Sequence, residues 1–321
     1  MVAARVMTQI EKKTGKRLPL ASLFEHSTIE KLALLLQLDD QFIQWGSLVP
    51  IKPQGNKPPI FMVHGAGLNV LNFNSLAKYV DEDQPIYGLQ AKGLNGNEEY
   101  LTSVEAIAAH YNNIIMDTQP EGPYAIAGYS FGGVIAYEMV CQLIAKGEKV
   151  SMLGLFDTYR FPAYQYPTTW GKRVGDLRFF AGQKVHTIKH MFGSVAGFKF
   201  RTKKYMNMFR KVMQRVGSNE TESVELSTQR ALEIMQVNNR AIANYHLKPA
   251  DLKVTLFRAK QQDEYMHDIT YLGWKPFALK GVDIHDVPGD HYSIFTPPND
   301  AVFAEVLQEV LDRNTINNKN T

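Results

Sequence analysis

The chain has 321 residues, of which 45% are hydrophobic and 21% are charged, and its formal net charge is +3 at pH 7. This length fits one large domain with a smaller unit beside it, and the ordinary apolar content excludes an intrinsically disordered protein. Such a small net charge gives no support for nucleic-acid binding. The sequence contains no apolar run of about 18 residues, so no membrane span is predicted. The single cysteine, Cys141, excludes a disulfide within the chain and favours a reducing, cytoplasmic compartment.

Residues 1–38 are predicted to form a small all-helical unit. Val6 and Ile10 recur at the spacing of one helix face, and Ser27 begins a capping-box pattern that opens a further helix. Residues 39–58 follow as a linker, because proline and glycine recur there and the helical spacing stops.

Three stretches of the helical unit resemble the C-terminal part of an acyl- or peptidyl-carrier domain of modular synthases. The matching stretches are residues 4–15, 18–24 and 27–33. In carrier domains, the serine that bears phosphopantetheine lies at the start of the first of these helices, which corresponds to a position just before Met1. The resemblance therefore implies a truncated carrier without its attachment serine, and no covalently bound cofactor is expected.

A short buried strand is predicted at Ile60–Val63, and it runs directly into a glycine-rich turn. The turn contains Gly65 and Gly67. In α/β-hydrolases, a turn after an early strand supplies one backbone N–H group to the oxyanion hole, and Ala66 is the candidate donor. His64 is interpreted as a residue that packs within the turn rather than as a catalytic base. An ordinary glycine turn is the alternative.

A strand, a sharp turn and a helix are predicted around residues 124–145. The turn reads Gly128-Tyr-Ser130-Phe-Gly132, the G-x-S-x-G pattern of the nucleophile elbow in α/β-hydrolases. The two glycines leave room for a tight turn that projects the Ser130 hydroxyl from the end of the strand. Because Phe131 begins the helix, its backbone N–H lies beside this hydroxyl and is the second candidate oxyanion donor.

Strands and helices alternate along most of the chain, which predicts an α/β fold with a mostly parallel sheet and helices on both faces. Further strands are predicted at residues 85–89, 150–156, 253–258 and 282–287. The block from about 159 to 245 interrupts this alternation and is predicted to form a helical lid over the site. Between Gly171 and Arg215, the lid has twelve Lys and Arg residues against one acidic residue. A solvated helical surface explains this excess, and a docking face for an acidic carrier protein is the alternative.

The residues Ser130, Asp157 and His291 occur in the chain order of the catalytic triad of α/β-hydrolases. A serine hydroxyl is a weak nucleophile and needs an adjacent base, which a histidine in the loop after the last strand can provide. A carboxylate fixes the tautomer of that histidine and stabilises the imidazolium ion. Asp157 ends the strand after the elbow, whereas Asp263 follows the next strand, and both are candidate acids.

Residues 48–313 resemble the thioesterase domains that terminate nonribosomal peptide and polyketide synthases. The matching stretches are residues 48–52, 59–67, 88–93, 124–133, 155–157 and 287–291. By alignment of these motifs, the resemblance implies that Ser130 is the nucleophile and that His291 is the base. It also favours Asp157 over Asp263 as the acid. It also implies that residues 59–321 form one α/β-hydrolase domain with a lid.

The resemblance implies a reaction as well. An acyl or peptidyl chain would be transferred from phosphopantetheine on a carrier protein of an upstream synthase module to Ser130, and then released by hydrolysis or by cyclisation. No metal, nucleic acid or membrane is implied. A free-standing serine carboxylesterase with the same triad is the alternative enzyme. An inactive hydrolase fold that serves as a docking module is the alternative outside catalysis.

Overall fold

A computed structural model describes residues 2–16, 18–19, 22–26, 28–38, 46–94, 98–159, 222–262 and 268–319. Most of the predicted lid, residues 160–221, lies outside these ranges, and so does the rival acid Asp263.

The core of the described structure is a seven-stranded sheet in the order β1-β3-β2-β4-β5-β6-β7. The strand β1 is antiparallel to β3, and every other neighbouring pair is parallel. The predicted α/β class with a mostly parallel sheet is therefore confirmed. The strands are β1 (Leu48–Lys52), β2 (Ile60–Val63), β3 (Ile86–Leu89), β4 (Tyr124–Tyr129), β5 (Val150–Phe156), β6 (Val254–Gln261) and β7 (Val282–Asp290).

Helices cover both faces of the sheet and also form the N-terminal unit. Among the described residues, no helix is both long enough and apolar enough to cross a membrane. The helices are α1 (Val2–Thr14), α2 (Ser22–Glu25), α3 (Ile29–Leu35), α4 (Phe73–Ala77), α5 (Val104–Thr118), α6 (Phe131–Ala145), α7 (Glu222–Asn244) and α8 (Asn299–Lys319).

Side-chain capping explains the starts of α3 and α5. Ser103 accepts a hydrogen bond from the backbone N–H of Ala106 and caps α5 in this way, which satisfies one of the free donors at the helix start. The helix α3 is capped by Thr28, whose side chain accepts from the N–H of Lys31. The capping box predicted from Ser27 is thus wrong by one residue.

Two apolar layers hold the sheet between the helices. On one face, α5 and α6 bury a cluster that includes Tyr111 and Ile135 against alternate residues of the strands. On the other face, α4 and α8 bury Phe73 and Phe303. Because successive side chains of a strand point to opposite faces, a fully buried strand such as Ile60–Val63 contributes side chains to both clusters.

The N-terminal helices form an apolar cluster of their own, separate from the two clusters on the sheet. It contains Met7, Leu18 and Leu35 in its buried centre. The assignment of these helices to a truncated carrier stays a prediction.

The parallel strands bring distant segments to one edge of the sheet. A turn that begins at His64 follows β2, Ser130 follows β4, and Asp157 follows β5. These three strands are neighbours in the sheet. His291 follows β7, which runs to Asp290 and is longer than the predicted strand 282–287. All four segments therefore meet beyond the carboxyl ends of the strands, where open α/β sheets place their sites.

The elbow at Ser130 is tightly packed against its own helix. Ser130 has φ 53° and ψ −115°, a backbone conformation that is rare for a residue with a side chain. A Cβ atom on Gly128 would lie 2.1 Å from the carbonyl oxygen of Gly132, and a Cβ on Gly132 would lie 2.3 Å from that of His64. Glycine is required at both positions because main chain approaches main chain there.

We expect Gly128→Ala to lower the free energy of unfolding by about 3 kcal/mol, because the new methyl group would meet backbone atoms that cannot rotate away. Gly67→Ala is the matched control, since its Cβ would come no closer than 3.8 Å to the nearest group, Asn69. The control should change stability by no more than about 0.5 kcal/mol. Denaturant unfolding followed by circular dichroism measures both, and equal stabilities would contradict the packing described for the elbow.

Candidate active site

Three side chains at the edge of the sheet form a continuous hydrogen-bonded row. The Oγ atom of Ser130 lies 3.1 Å from Nε2 of His291, and Nδ1 of His291 lies 2.8 Å from Oδ2 of Asp157. The structure thus brings together the three residues that the sequence motifs singled out, although they lie far apart in the chain. The row can relay one proton between the serine hydroxyl and the imidazole.

Asp157 is fixed by the neighbouring strand. Its side chain is 1% exposed, and its Oδ1 atom accepts a hydrogen bond of 2.9 Å from the backbone N–H of Ala259 in β6. Its own backbone N–H donates to the carbonyl oxygen of Phe257 at 2.8 Å, and its φ of 42° is unusual for a residue other than glycine. One carboxylate oxygen is therefore held by the sheet, which leaves the other to bind His291.

The carboxylate sets the tautomer of the histidine. An ionised carboxylate only accepts hydrogen bonds, so Nδ1 of His291 carries the proton in the bond to Asp157. In the neutral ring, the Nε2 lone pair then faces the hydroxyl of Ser130 and can accept its proton. With its side chain 32% exposed, His291 also remains accessible to a substrate.

The loop that carries His291 is held by two residues that the sequence reading did not identify. The Tyr129 hydroxyl donates a 2.6 Å hydrogen bond to the carbonyl oxygen of His291, and the two rings stack with centroids 5.0 Å apart. The Oδ1 atom of Asp290 accepts hydrogen bonds from the backbone N–H groups of Tyr292 and Ser293, and from the Ser293 hydroxyl. An Asp side chain that accepts a hydrogen bond from the backbone N–H two residues later is a local turn pattern, so this role of Asp290 could have been predicted from the sequence.

Of the two candidate oxyanion donors, Phe131 directly follows Ser130 and Ala66 lies in the turn that packs against the elbow. Phe131 is the first residue of α6, where N–H groups have no acceptor within the helix, and Ala66 is exposed in the turn after β2. Within the described part of the chain, neither backbone N–H donates a hydrogen bond. The turn and the elbow are in contact, since a Cβ on Gly65 would lie 2.6 Å from the ring of Tyr129. Gly67 has no comparable close neighbour.

His64 lies apart from the row of three side chains. It is 1% exposed and contacts Gly65 and Tyr111. Burial lowers the pKa of its imidazole to about 4, so the ring is neutral near pH 7. These contacts agree with the expected packing role in the turn.

The chemistry available to this arrangement is nucleophilic attack on a carbonyl carbon. A serine hydroxyl faces a basic nitrogen, and a buried carboxylate can stabilise the resulting imidazolium ion. The N–H groups of Ala66 and Phe131, which have no acceptor among the described residues, can bind an oxyanion. In the described ranges, the His, Cys, Asp and Glu side chains nowhere form a group of three or more that could hold a metal ion.

The model of the Thioesterase domain family matches residues 58–310 of this chain. Among characterised proteins, malpinin synthetase of Mortierella alpina is 30% identical over 315 residues, which cover 97% of this chain and 4% of the synthetase. The nonribosomal peptide synthetase apvA of Aspergillus terreus is 28% identical over 326 residues, which cover 96% of this chain and 34% of that protein. The chain thus spans only a small part of these relatives.

Solved structures share the fold. The NocB thioesterase domain, in a covalent complex with a fluorophosphonate analogue of nocardicin G, aligns with a TM-score of 0.58 and 20% identity; the match covers 83% of this chain and all of that one (100%). A four-domain nonribosomal peptide synthetase bound to AMP and glycine aligns with a TM-score of 0.65 and 21% identity, covering 96% of this chain and 23% of that one.

Proposed function

The chain belongs to the Thioesterase domain family, and from that premise we propose that it releases an acyl or peptidyl chain from a phosphopantetheine thioester through an acyl-Ser130 intermediate. The observation that carries the proposal is the row Ser130–His291–Asp157, with separations of 3.1 and 2.8 Å. Its order and geometry suit attack by the serine on a thioester carbonyl.

The acylation step uses each residue of the row once. The Oγ atom of Ser130 attacks the carbonyl carbon and its proton passes to Nε2 of His291, while Asp157 stabilises the imidazolium ion. The oxyanion accepts hydrogen bonds from the N–H groups of Ala66 and Phe131. Collapse of the tetrahedral intermediate then breaks the carbon–sulfur bond, and His291 returns the proton to the departing pantetheine sulfur.

Release reverses the same proton path. A water molecule, or a hydroxyl or amine of the bound chain itself, gives its proton to His291 and attacks the carbonyl carbon of the acyl-Ser130 ester. Water produces a free acid, and an internal nucleophile closes a ring. In both cases, Ser130 regains its proton from His291 and the enzyme returns to its starting state.

The oxyanion donors and the triad carboxylate are expected to lower the reaction barrier by different amounts. Each oxyanion donor in enzymes of this kind lowers the barrier by about 3 kcal/mol. Loss of the triad carboxylate lowers kcat by about 10⁴-fold, or about 5.4 kcal/mol at 1.36 kcal/mol per factor of ten. The carboxylate therefore contributes more than either single donor, which agrees with its burial and its hydrogen bonds to Ala259, Gln262 and His291.

We further propose that a carrier protein of an upstream synthase module presents the substrate. The relatives named above are synthetases of which this chain covers a small part, and the N-terminal helices resemble part of a carrier domain. The predicted basic lid face lies outside the described residues, so docking on it stays a prediction. A carboxylesterase would instead favour oxygen esters, which makes the leaving group the property to test.

Intact-protein mass spectrometry after rapid acid quenching tests the proposal. An acyl-pantetheine thioester should add one acyl mass to the protein, and peptide mapping should place it on Ser130. The matched oxygen ester, with the same acyl group, should acylate more slowly. Ser130→Ala should show no acyl adduct with a normal circular dichroism spectrum. Product formation at the normal rate by this variant would contradict the proposed intermediate, and faster acylation by the oxygen ester would favour a carboxylesterase.

We expect Asp157→Asn to lower kcat by about 10⁴-fold with a soluble thioester substrate, because an amide favours the wrong tautomer of His291. Asp283→Asn is the matched control, since this carboxylate lies at the surface in an ion pair with Lys253. The control should retain its kcat within about twofold, because exposed ion pairs contribute little. A large loss in Asp263→Asn combined with a small loss in Asp157→Asn would assign the acid to the later loop.

A further inference from the structure

His64 makes three contacts that take no direct part in the proposed reaction. Its Nδ1 atom lies 2.7 Å from the carbonyl oxygen of Gly65, and its Nε2 atom lies 3.1 Å from the hydroxyl of Tyr111. Its ring stacks on Phe131, with centroids 5.9 Å apart and an angle of 18° between the planes. One buried imidazole thus touches the residue before Ala66 and the side chain of Phe131, the two candidate oxyanion donors.

The contact with Gly65 identifies the tautomer. Burial lowers the pKa of His64 to about 4, so the ring holds one proton near neutral pH. A carbonyl oxygen cannot donate, so a separation of 2.7 Å from it requires the proton on Nδ1. Burial keeps the Tyr111 hydroxyl protonated by raising its pKa. Its one proton faces two acceptors, the carbonyl oxygen of Gln90 at 3.0 Å and the Nε2 lone pair of His64 at 3.1 Å.

The geometry of the peptide group connects this hydrogen bond to the site. The carbonyl of Gly65 and the N–H of Ala66 belong to one planar trans peptide group, in which the two bonds point in opposite directions. The Gly65 oxygen accepts from Nδ1 of His64 and also from the backbone N–H of Leu68 at 3.0 Å. Two donors on one oxygen restrict rotation of the peptide plane, so the direction of the Ala66 N–H is restricted as well.

We infer that His64 is a positioning residue for the oxyanion hole: it holds the Gly65 carbonyl so that the N–H of Ala66 is directed at the oxyanion. The inference rests on the proposed function, because it concerns the same site and the same reaction. His64 touches no reacting atom. Its effect passes through the peptide plane to Ala66, and its ring supports Phe131 from the buried side.

Two amide variants, which place a donor at different ring positions, separate positioning from simple filling of space. In His64→Asn, the side-chain amide nitrogen occupies the place of Nδ1 and can still donate to Gly65. In His64→Gln, the amide nitrogen reaches the place of Nε2, so the contact with Tyr111 is kept and the donor to Gly65 is lost. Both variants replace an aromatic ring with an amide and should lose similar packing.

With a soluble acyl-pantetheine thioester, His64→Gln should lower kcat by about 10²-fold, the scale of one lost oxyanion donor, with little change in KM. His64→Asn should recover most of this loss and stay within about tenfold of the wild type. A trifluoromethyl ketone analogue of the substrate, which forms an anionic adduct with the serine, should bind more weakly to the Gln variant by the same factor. Thermal unfolding of both variants serves as the control for packing.

Equal losses in the Asn and Gln variants would overturn the inference, because packing alone would then explain them. If the Gln variant does not fold, Tyr111→Phe replaces it. Removing the hydroxyl that faces Nε2 should lower kcat about tenfold with KM unchanged, and unchanged kcat would count against the inference. Failure of the wild type to form acyl-Ser130 would overturn the proposed function and this inference together. Normal acylation with equally active variants would overturn this inference alone.

Discussion

The carboxylate of Asp157 is the group on which the geometry of the site depends. One of its oxygens is bound by the backbone of β6 and the other by the imidazole of His291, so it joins the ends of three strands. A charged group that is 1% exposed is stable only when both oxygens have partners. The hydrogen bonds that satisfy the carboxylate therefore also orient His291 towards Ser130, and stability and site geometry have one structural origin.

The parallel sheet makes this convergence possible. Each strand delivers a short segment to the same edge, and the main chain there is so closely packed that Gly128 and Gly132 leave no room for a Cβ. Such packing fixes the Ser130 hydroxyl and the candidate donors before a substrate arrives, which is the condition for electrostatic stabilisation of a transition state. The strained backbone of Ser130 and Asp157 is held by this packing, and strain of this kind is concentrated at functional sites.

The sequence predicted the parts of this structure that are local in the chain. The α/β class followed from alternating patterns, and the elbow, the turn after β2 and the loop of His291 followed from short motifs at strand ends. The roles of Tyr129 and Ala259 could not be predicted, because their hydrogen bonds to His291 and Asp157 join residues more than 100 positions apart. The boundary errors at Ser27 and in β7 have a local cause, since adjacent Ser and Thr residues compete to cap a helix and strand ends carry no distinct signal.

A crystal structure of the protein after reaction with a phosphonate ester would examine the proposed nucleophile and the proposed oxyanion hole in one measurement. We expect phosphorus bonded covalently to Oγ of Ser130, with the phosphonyl oxygen about 2.7–3.1 Å from the backbone nitrogens of both Ala66 and Phe131. His291 should keep its hydrogen bond to Asp157. An adduct on another residue would exclude Ser130 as the nucleophile, and a phosphonyl oxygen that faces neither nitrogen would exclude the proposed oxyanion hole.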